Sequence, residues 1–287
     1  MRAAGPCSQT APRKRIHRLT LLKIAPGLCL AAYLCVCALM YVLQRQLQYF
    51  PTQRNPAPLA AGLSGVTPLH LATPDGETLI AWHSPAPESR PSMLFFQGSA
   101  GEIADRADRF AFWQAQDAGV LFISTRGYGG STGAITEAGL IMDAVTAHDW
   151  LTAQGTAPAQ IIAIGESLRT GLAVQLAAQR RVAAVLLEAP YSATVDVAAR
   201  LYPWLPVRLL MRDQYRSIDH IAQINAPLLI QHGTDDRVIP FDLGQRLFDA
   251  AVDPKTVVAL PGQGHDALST TAFWHTEARF VADLFPR

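Results

Sequence analysis

Ile161-Ile162-Ala163-Ile164-Gly165-Glu166-Ser167-Leu168-Arg169-Thr170-Gly171 decides how this chain is read. Four apolar residues, three of them β-branched, argue for a short buried strand. The helical pattern that starts at Leu168 leaves only Gly165, Glu166 and Ser167 for the turn between strand and helix. A serine on so tight a turn is held out from the sheet, with the positive end of the helix and its unpaired N–H groups beneath it. A nucleophilic alkoxide needs that setting. A plain helix N-cap also favours serine, so the stretches on either side must decide between the two.

Outward from this turn the chain alternates. Short apolar runs rich in β-branched or aromatic residues stand at 93–96, 120–124, 161–164, 182–187, 227–231 and 256–260, and helical patterns lie at 103–116, 138–154, 168–179, 242–252 and 271–285. Strands alternating with helices imply crossover connections and a mostly parallel sheet covered on both faces. Upstream, residues 66–84 alternate around Pro74-Asp75-Gly76, a hairpin signal that adds an antiparallel edge. The expectation is an α/β protein with an eight-stranded sheet. From 192 to 226 no strand separates the helical pieces, and Tyr202-Pro203-Trp204-Leu205-Pro206 interrupts them, which reads as a small helical cap.

In an open parallel sheet, sites form beyond the carboxyl ends of the strands. Gln97-Gly98-Ser99-Ala100-Gly101 follows an early strand, and its small residues let a backbone N–H face the serine. Ser99 and Leu168 are the expected pair of oxyanion donors. Gln231-His232-Gly233-Thr234-Asp235-Asp236 offers a carboxylate after the penultimate strand, and Leu260-Pro261-Gly262-Gln263-Gly264-His265 a histidine after the last. Each stretch alone has a bland equivalent: a glycine-rich loop, a solvated turn, a surface histidine. Together they run in the order Ser167, Asp, His265, the order expected of a hydrolase with this sheet.

The chain from about Val66 to Phe285 resembles the α/β-hydrolases, most of all the single-pass, membrane-anchored hydrolase-domain proteins related to serine aminopeptidases and monoacylglycerol lipases. In that group the first sheet loop usually reads His-Gly-Asn-Ala-Gly, the next Arg-Gly-Tyr-Gly-x-Ser-x-Gly, and the elbow Gly-Glu-Ser-Leu-Gly-Thr-Gly. The last two read His-Gly-Thr-x-Asp-x-x-Val-Pro and Gly-x-Gly-His. Arg126-Gly127-Tyr128-Gly129-Gly130-Ser131-Thr132-Gly133 matches fully. The resemblance implies Ser167, Asp236 and His265 as a catalytic triad, with Asp236 selected over Asp235 by the loop through Val238, Ile239 and Pro240. Two positions depart from the pattern. Gln97 stands where histidine is usual and is expected to change only neighbouring hydrogen bonds. Arg169 stands where the elbow's second glycine is usual. Either its guanidinium escapes to the surface, or the helix shifts and Ser167 loses alignment, in which case Arg169→Gly would raise both thermal stability and turnover.

Ahead of the body, residues 1–23 carry Arg13, Lys14, Arg15, Arg18 and Lys23, and residues 24–43, IAPGLCLAAYLCVCALMYVL, hold no charge. About 20 apolar residues let a helix cross a bilayer. The cations ahead of it, against only Arg45 and Arg54 close behind, keep the N-terminus cytoplasmic and put the body on the opposite, periplasmic or extracytoplasmic side. No small-x-small cleavage site follows, as a signal peptide would require. Residues 44–65, with Pro51, Pro56 and Pro58, read as a linker, and 66–287 as the hydrolase domain.

Eight of the 24 Lys and Arg precede Asp75, the first acid, so the body that follows carries 16 cations against 23 Asp and Glu. Phosphate contacts need clustered cations, and no nucleic-acid partner is expected. All four cysteines, Cys7, Cys29, Cys35 and Cys37, fall in the first 37 residues, so the body holds no disulfide and no thiolate zinc site. No Gly-x-Gly-x-x-Gly opens a helix and the body has one lysine, Lys255, which argues against a dinucleotide or P-loop site. The expected chemistry is acyl transfer to water without metal or other cofactor, on a small-molecule or lipid-like acyl substrate: a carboxylic ester, thioester or acylglycerol. Tyr202, Trp204 and Leu205 give the cap an apolar surface suited to an acyl chain. An aminopeptidase-like peptidase and a catalytically silent, membrane-tethered binding module are the alternatives.

Overall fold

The computed structural model describes residues 13–286, with side chains from Ala25 onward; residues 1–12, and with them Cys7, lie outside the described residues. Two units divide at Gln44 and Arg45. The first consists of a helix, α1 (Arg13–Gln48), which runs on into the second. Ala25–Gln48 within it has a mean hydropathy of 2.1 and is long and apolar enough to cross a membrane. Its Leu28, Leu30, Leu34, Leu39 and Val42 are exposed, on a helix with no polar face to balance them.

The second unit is built on one mixed sheet. β1 (Thr67–Ala72) and β2 (Thr78–Ser84) are antiparallel. They are joined through Gly76, whose φ of 88° is a conformation that glycine takes without strain. β3 (Ser92–Phe96), β4 (Gly119–Ser124), β5 (Ile161–Glu166), β6 (Ala184–Glu188), β7 (Leu228–Gly233) and β8 (Lys255–Leu260) follow, and the sheet order is β8-β7-β6-β5-β3-β4-β2-β1. All pairs from β8 to β4 are parallel, while β2 meets β4 antiparallel. The helices are α2 (Ala107–Gln114), α3 (Glu137–Ala153), α4 (Thr170–Gln179), α5 (Thr194–Leu201), α6 (Val207–Leu210), α7 (Phe241–Ala250) and α8 (Thr271–Leu284). The hydroxyls of Thr136 and Thr270 cap α3 and α8 by accepting from the N–H of Gly139 and Phe273.

Strand side chains alternate between faces, and that alternation distributes the helices. Leu94 and Phe96 share a core with Leu140 of α3, Leu172 of α4 and Leu243 of α7. Met93 and Phe95, between them, join Phe110 and Trp113 of α2 and Val281 of α8 on the other face. Helices 103–116 and 168–179 of the sequence reading open with 3₁₀ turns, Ile103–Arg106 and Ser167–Arg169, before the α-helix proper. The cap region contains α5, α6 and two further 3₁₀ turns and no strand.

Residues 44–65 are not the linker that their prolines suggest. α1 continues to Gln48, Tyr49 and Leu63 are buried in the two cores, and Phe50–Pro51 pairs in parallel with Ala100–Gly101. Pro58 opens a 3₁₀ turn, Pro58–Ala61, closed by Gly62 at φ 82°. Burying Tyr49 and Leu63 stabilises the body by roughly 2 kcal/mol each. A chain beginning at Val66 should therefore melt about 8–16 °C below one beginning at Arg45. Thermal melts followed by circular dichroism check this, and equal midpoints would contradict it.

Candidate active site

β5 ends at Glu166, and Ser167 follows with a φ of 52°, a left-handed conformation that residues with a Cβ avoid. Gly165 makes the turn possible: a Cβ there would come within 2.6 Å of the Thr170 Cα and 2.7 Å of the Arg169 carbonyl oxygen. Beyond the serine, the second close approach falls at Gly171, where a Cβ would meet the Tyr191 hydroxyl at 2.6 Å. The position after the serine that must be glycine is thus 171 and not 169.

The turn brings Ser167, His265 and Asp236 together. Asp236 Oδ2 accepts from His265 Nδ1 at 2.7 Å, and His265 Nε2 lies 3.0 Å from Ser167 Oγ. With Nδ1–H donating its hydrogen bond to the carboxylate, Nε2 keeps a lone pair that can accept the serine proton. Asp236 is buried and Asp235 exposed. Burial alone would raise the Asp236 pKa, but hydrogen bonds from His232, His265 and the Ile239 N–H hold it well below the usual carboxylate range. Its Oδ1 takes the N–H groups of Val238 and Ile239 at 2.8 and 2.9 Å, which explains why the loop composition there matters. The two loops are stitched together by Thr234 N–H to Leu260 O and Asp235 N–H to Gln263 O, both 3.0 Å.

The loop from Gln97 to Gly101 lies against the serine: a Cβ on Gly98 would stand 3.6 Å from the Ser167 Cβ. Glu166 ties the two together. Its Oε1 accepts the Gly98 N–H at 3.3 Å, and Arg106 clamps the same carboxylate with Nε at 2.8 Å and Nη2 at 2.5 Å. The Ser99 carbonyl takes the Tyr128 hydroxyl and the Phe50 N–H, each at 2.8 Å, and the Leu168 carbonyl takes the Tyr191 hydroxyl at 2.6 Å. Ser99 and Leu168, the residues expected to supply oxyanion donors, are therefore each held by a buried tyrosine. Gln97 is buried and its Nε2 reaches the Gly101 carbonyl at 3.4 Å, a bond within its own loop. On the cap, Leu205 is buried, Tyr202 half-buried and Trp204 exposed.

Arg106, Tyr191 and the supporting role of His232 escaped the sequence reading. His232 stands at a strand end, a usable signal, and its Nε2 reaches the Ile239 carbonyl at 2.9 Å. Arg106 lies 60 residues from Glu166, and nothing local marks it.

No family model matches the chain. An uncharacterized protein of Mycobacterium tuberculosis is 40% identical over 227 residues, covering 78% of this chain and 80% of that protein. The alpha/beta hydrolase domain-containing protein WAV2 of Arabidopsis thaliana is 29% identical over 286 residues, covering 87% and 91%. An esterase structure from Pyrococcus furiosus aligns with a TM-score of 0.65 at 16% identity, covering 83% of this chain and 96% of that one. The chain belongs to the α/β-hydrolase superfamily.

In this α/β-hydrolase Arg169 does neither of the two things expected of it. The side chain is fully buried, and Ser167 keeps its partner. The guanidinium carbon lies 4.9 Å from the Tyr128 ring centroid and 5.6 Å from that of Tyr49, and Nη2 donates to Thr125 Oγ1 at 3.2 Å. Nε and Nη1 have no hydrogen-bond partner. Two orphan donors on a desolvated guanidinium cost stability, and the two cation–π contacts offset that cost only in part. The volume is what the fold uses.

A second buried cation serves the hydrolase differently. The sheet register sets Glu166, Glu188 and Gln231 side by side at the carboxyl ends of β5, β6 and β7. Arg109 Nη2 donates to both Glu188 and Glu277, all three side chains being buried. Burial pushes both carboxyls up, and one guanidinium does not offset two of them. Glu188 is the one raised well above the ordinary carboxyl value.

Arg169→Gly should leave a cavity and lower stability by about 2–5 kcal/mol, whereas Arg169→Met, of similar bulk, should leave it nearly unchanged; urea titrations of both decide, and a more stable glycine variant would overturn this account. For Glu188 the folded pKa exceeds the unfolded one. Its contribution is therefore intact below the ordinary 4.5 and is lost as pH rises towards the folded value. Glu188→Gln, which removes the titrating proton, should flatten the decline of stability above about pH 4.5. Unfolding midpoints across that range, with the two slopes identical, would refute it.

Proposed function

We propose that this chain is a serine hydrolase that cleaves a carboxylic ester, thioester or acylglycerol through an acyl-enzyme. The observation that carries this reading is the unbroken relay from Asp236 to His265 to Ser167, with bonds of 2.7 and 3.0 Å. In the first step His265 Nε2 takes the Ser167 proton while Oγ attacks the carbonyl, and Asp236 stabilises the imidazolium that forms. The N–H groups of Ser99 and Leu168 receive the negative charge that develops on the carbonyl oxygen. His265 then returns its proton to the leaving group, and a water, deprotonated by the same nitrogen, hydrolyses the acyl-enzyme. The proposed chemistry draws on no cofactor.

The Pyrococcus furiosus structure is named an esterase, which favours an oxygen ester over a peptide. Of the apolar cap residues, the half-buried Tyr202 and the buried Leu205 suit an acyl chain. We further propose that α1 anchors the enzyme in a membrane, with the N-terminus cytoplasmic and the hydrolase domain on the opposite side, so that the substrate is lipid-like.

A fluorophosphonate probe should label the protein at Ser167, and Ser167→Ala should abolish labelling; an intact protein that is never labelled overturns the enzyme reading. Ser167→Ala and His265→Ala should each lower turnover of an activated short-chain ester by a similar factor, on the order of 10⁴ or more. Asp236→Asn should also be crippling and Asp235→Asn mild. The reverse order for the two aspartates would move the triad acid by one residue.

A further inference from the structure

Leu201-Tyr202-Pro203-Trp204-Leu205-Pro206-Val207-Arg208-Leu209-Leu210-Met211 holds ten apolar or aromatic residues in eleven. Leu205 is the only one of these that is buried, while Leu201 is 59%, Trp204 55% and Leu209 86% exposed. Leu201, Pro203, Trp204 and Leu209 are thus open to water with half-buried apolar residues between them, a patch that a soluble surface rarely leaves uncovered. The run is also cationic: between Asp196 and Asp213 the sequence holds Arg200, Arg208 and Arg212 and no acid. Arg200 pairs with Asp242 and Arg208 with Asp196, yet both side chains stay largely exposed.

The residues just past this run are fastened to the end of α1. Asp213 accepts from Arg45 Nε and Nη2 at 2.8 and 3.2 Å and from the Tyr49 hydroxyl at 3.2 Å, and its carbonyl accepts from Gln48 Nε2 at 3.2 Å. The Tyr49 and Tyr215 hydroxyls lie 2.9 Å apart. Arg45 and Gln48 are the last residues of the apolar stretch Ala25–Gln48. A chain that leaves a bilayer there leaves it within side-chain reach of Asp213. Leucines and a tryptophan interleaved with arginines are what a segment lying in a headgroup layer carries, the apolar groups dipping towards the acyl chains and the guanidinium groups reaching back to water and phosphate.

We propose that residues 201–212 rest in the headgroup layer of the bilayer crossed by α1, with Leu201, Trp204 and Leu209 turned into the lipid. The inference builds on the membrane-anchor reading above and makes the cap a lipid-contacting surface.

The test is tryptophan quenching in the full-length chain, reconstituted in phosphatidylcholine vesicles that carry lipid spin-labelled near the headgroup. The chain has five tryptophans, so the Trp204 signal is the difference between the wild type and Trp204→Phe. Most of that difference emission should be lost to the spin-labelled lipid, and Leu209→Glu should restore it. Leu209→Glu should leave hydrolysis of a water-soluble short ester unchanged and slow cleavage of a vesicle-embedded acylglycerol about tenfold. A Trp204 signal quenched by aqueous iodide and not by lipid overturns the inference. Because quenching involves no turnover, a quenched protein that hydrolyses nothing keeps this surface and removes the catalytic reading. An active but unquenched one does the opposite.

Discussion

The site depends on a backbone conformation at Ser167 that the residue itself disfavours. A left-handed φ at a residue with a Cβ costs on the order of 1–3 kcal/mol and relaxes unless its surroundings forbid it. Here three separate restraints forbid it. Gly165 lets β5 run into van der Waals contact with the start of α4, Gly171 lets α4 settle against Tyr191 and Tyr215, and the Tyr191 hydroxyl holds the Leu168 carbonyl. The alignment of Ser167 with His265 is thus a product of packing around the turn.

Three arginines buried in the body are accommodated in three ways. Arg126 is fully matched: Asp143 takes its N–H, Nε and Nη2, and Asp75 takes Nη1 and Nη2. Arg109 is over-matched, with two carboxyls competing for one nitrogen. Arg169 has aromatic rings in place of a carboxylate. Neutral tyrosine rings stabilise the cation without adding a second charge to the core.

The strand and helix rhythm, the sheet with helices on both faces and the order of Ser167, Asp236 and His265 were legible because each is written locally, as a period of two or 3.6 or as a glycine-bearing turn. What stayed hidden rests on partners far apart in the chain. Arg169 read as a misfit because the sequence does not display that Tyr49 and Tyr128 converge on it from two distant segments. Residues 44–65 read as a tether because proline signals a break in regular structure, and it carries no information about whether Tyr49 or Leu63 finds a core. Arg106 shows the same limit, as the residue that fixes Glu166 lies on an element with no motif of its own.

The two-residue pairing of Phe50–Pro51 with Ala100–Gly101 has a mechanical meaning. The Phe50 N–H bonds directly to the Ser99 carbonyl, and only Tyr49 separates Phe50 from the last residue of α1. No slack lies between that helix and the loop that flanks the serine. Within the body, any displacement of the backbone at Tyr49 is therefore carried to Ser99 through two peptide units, and the loop beside Ser167 is the part of the sheet's edge that first registers it.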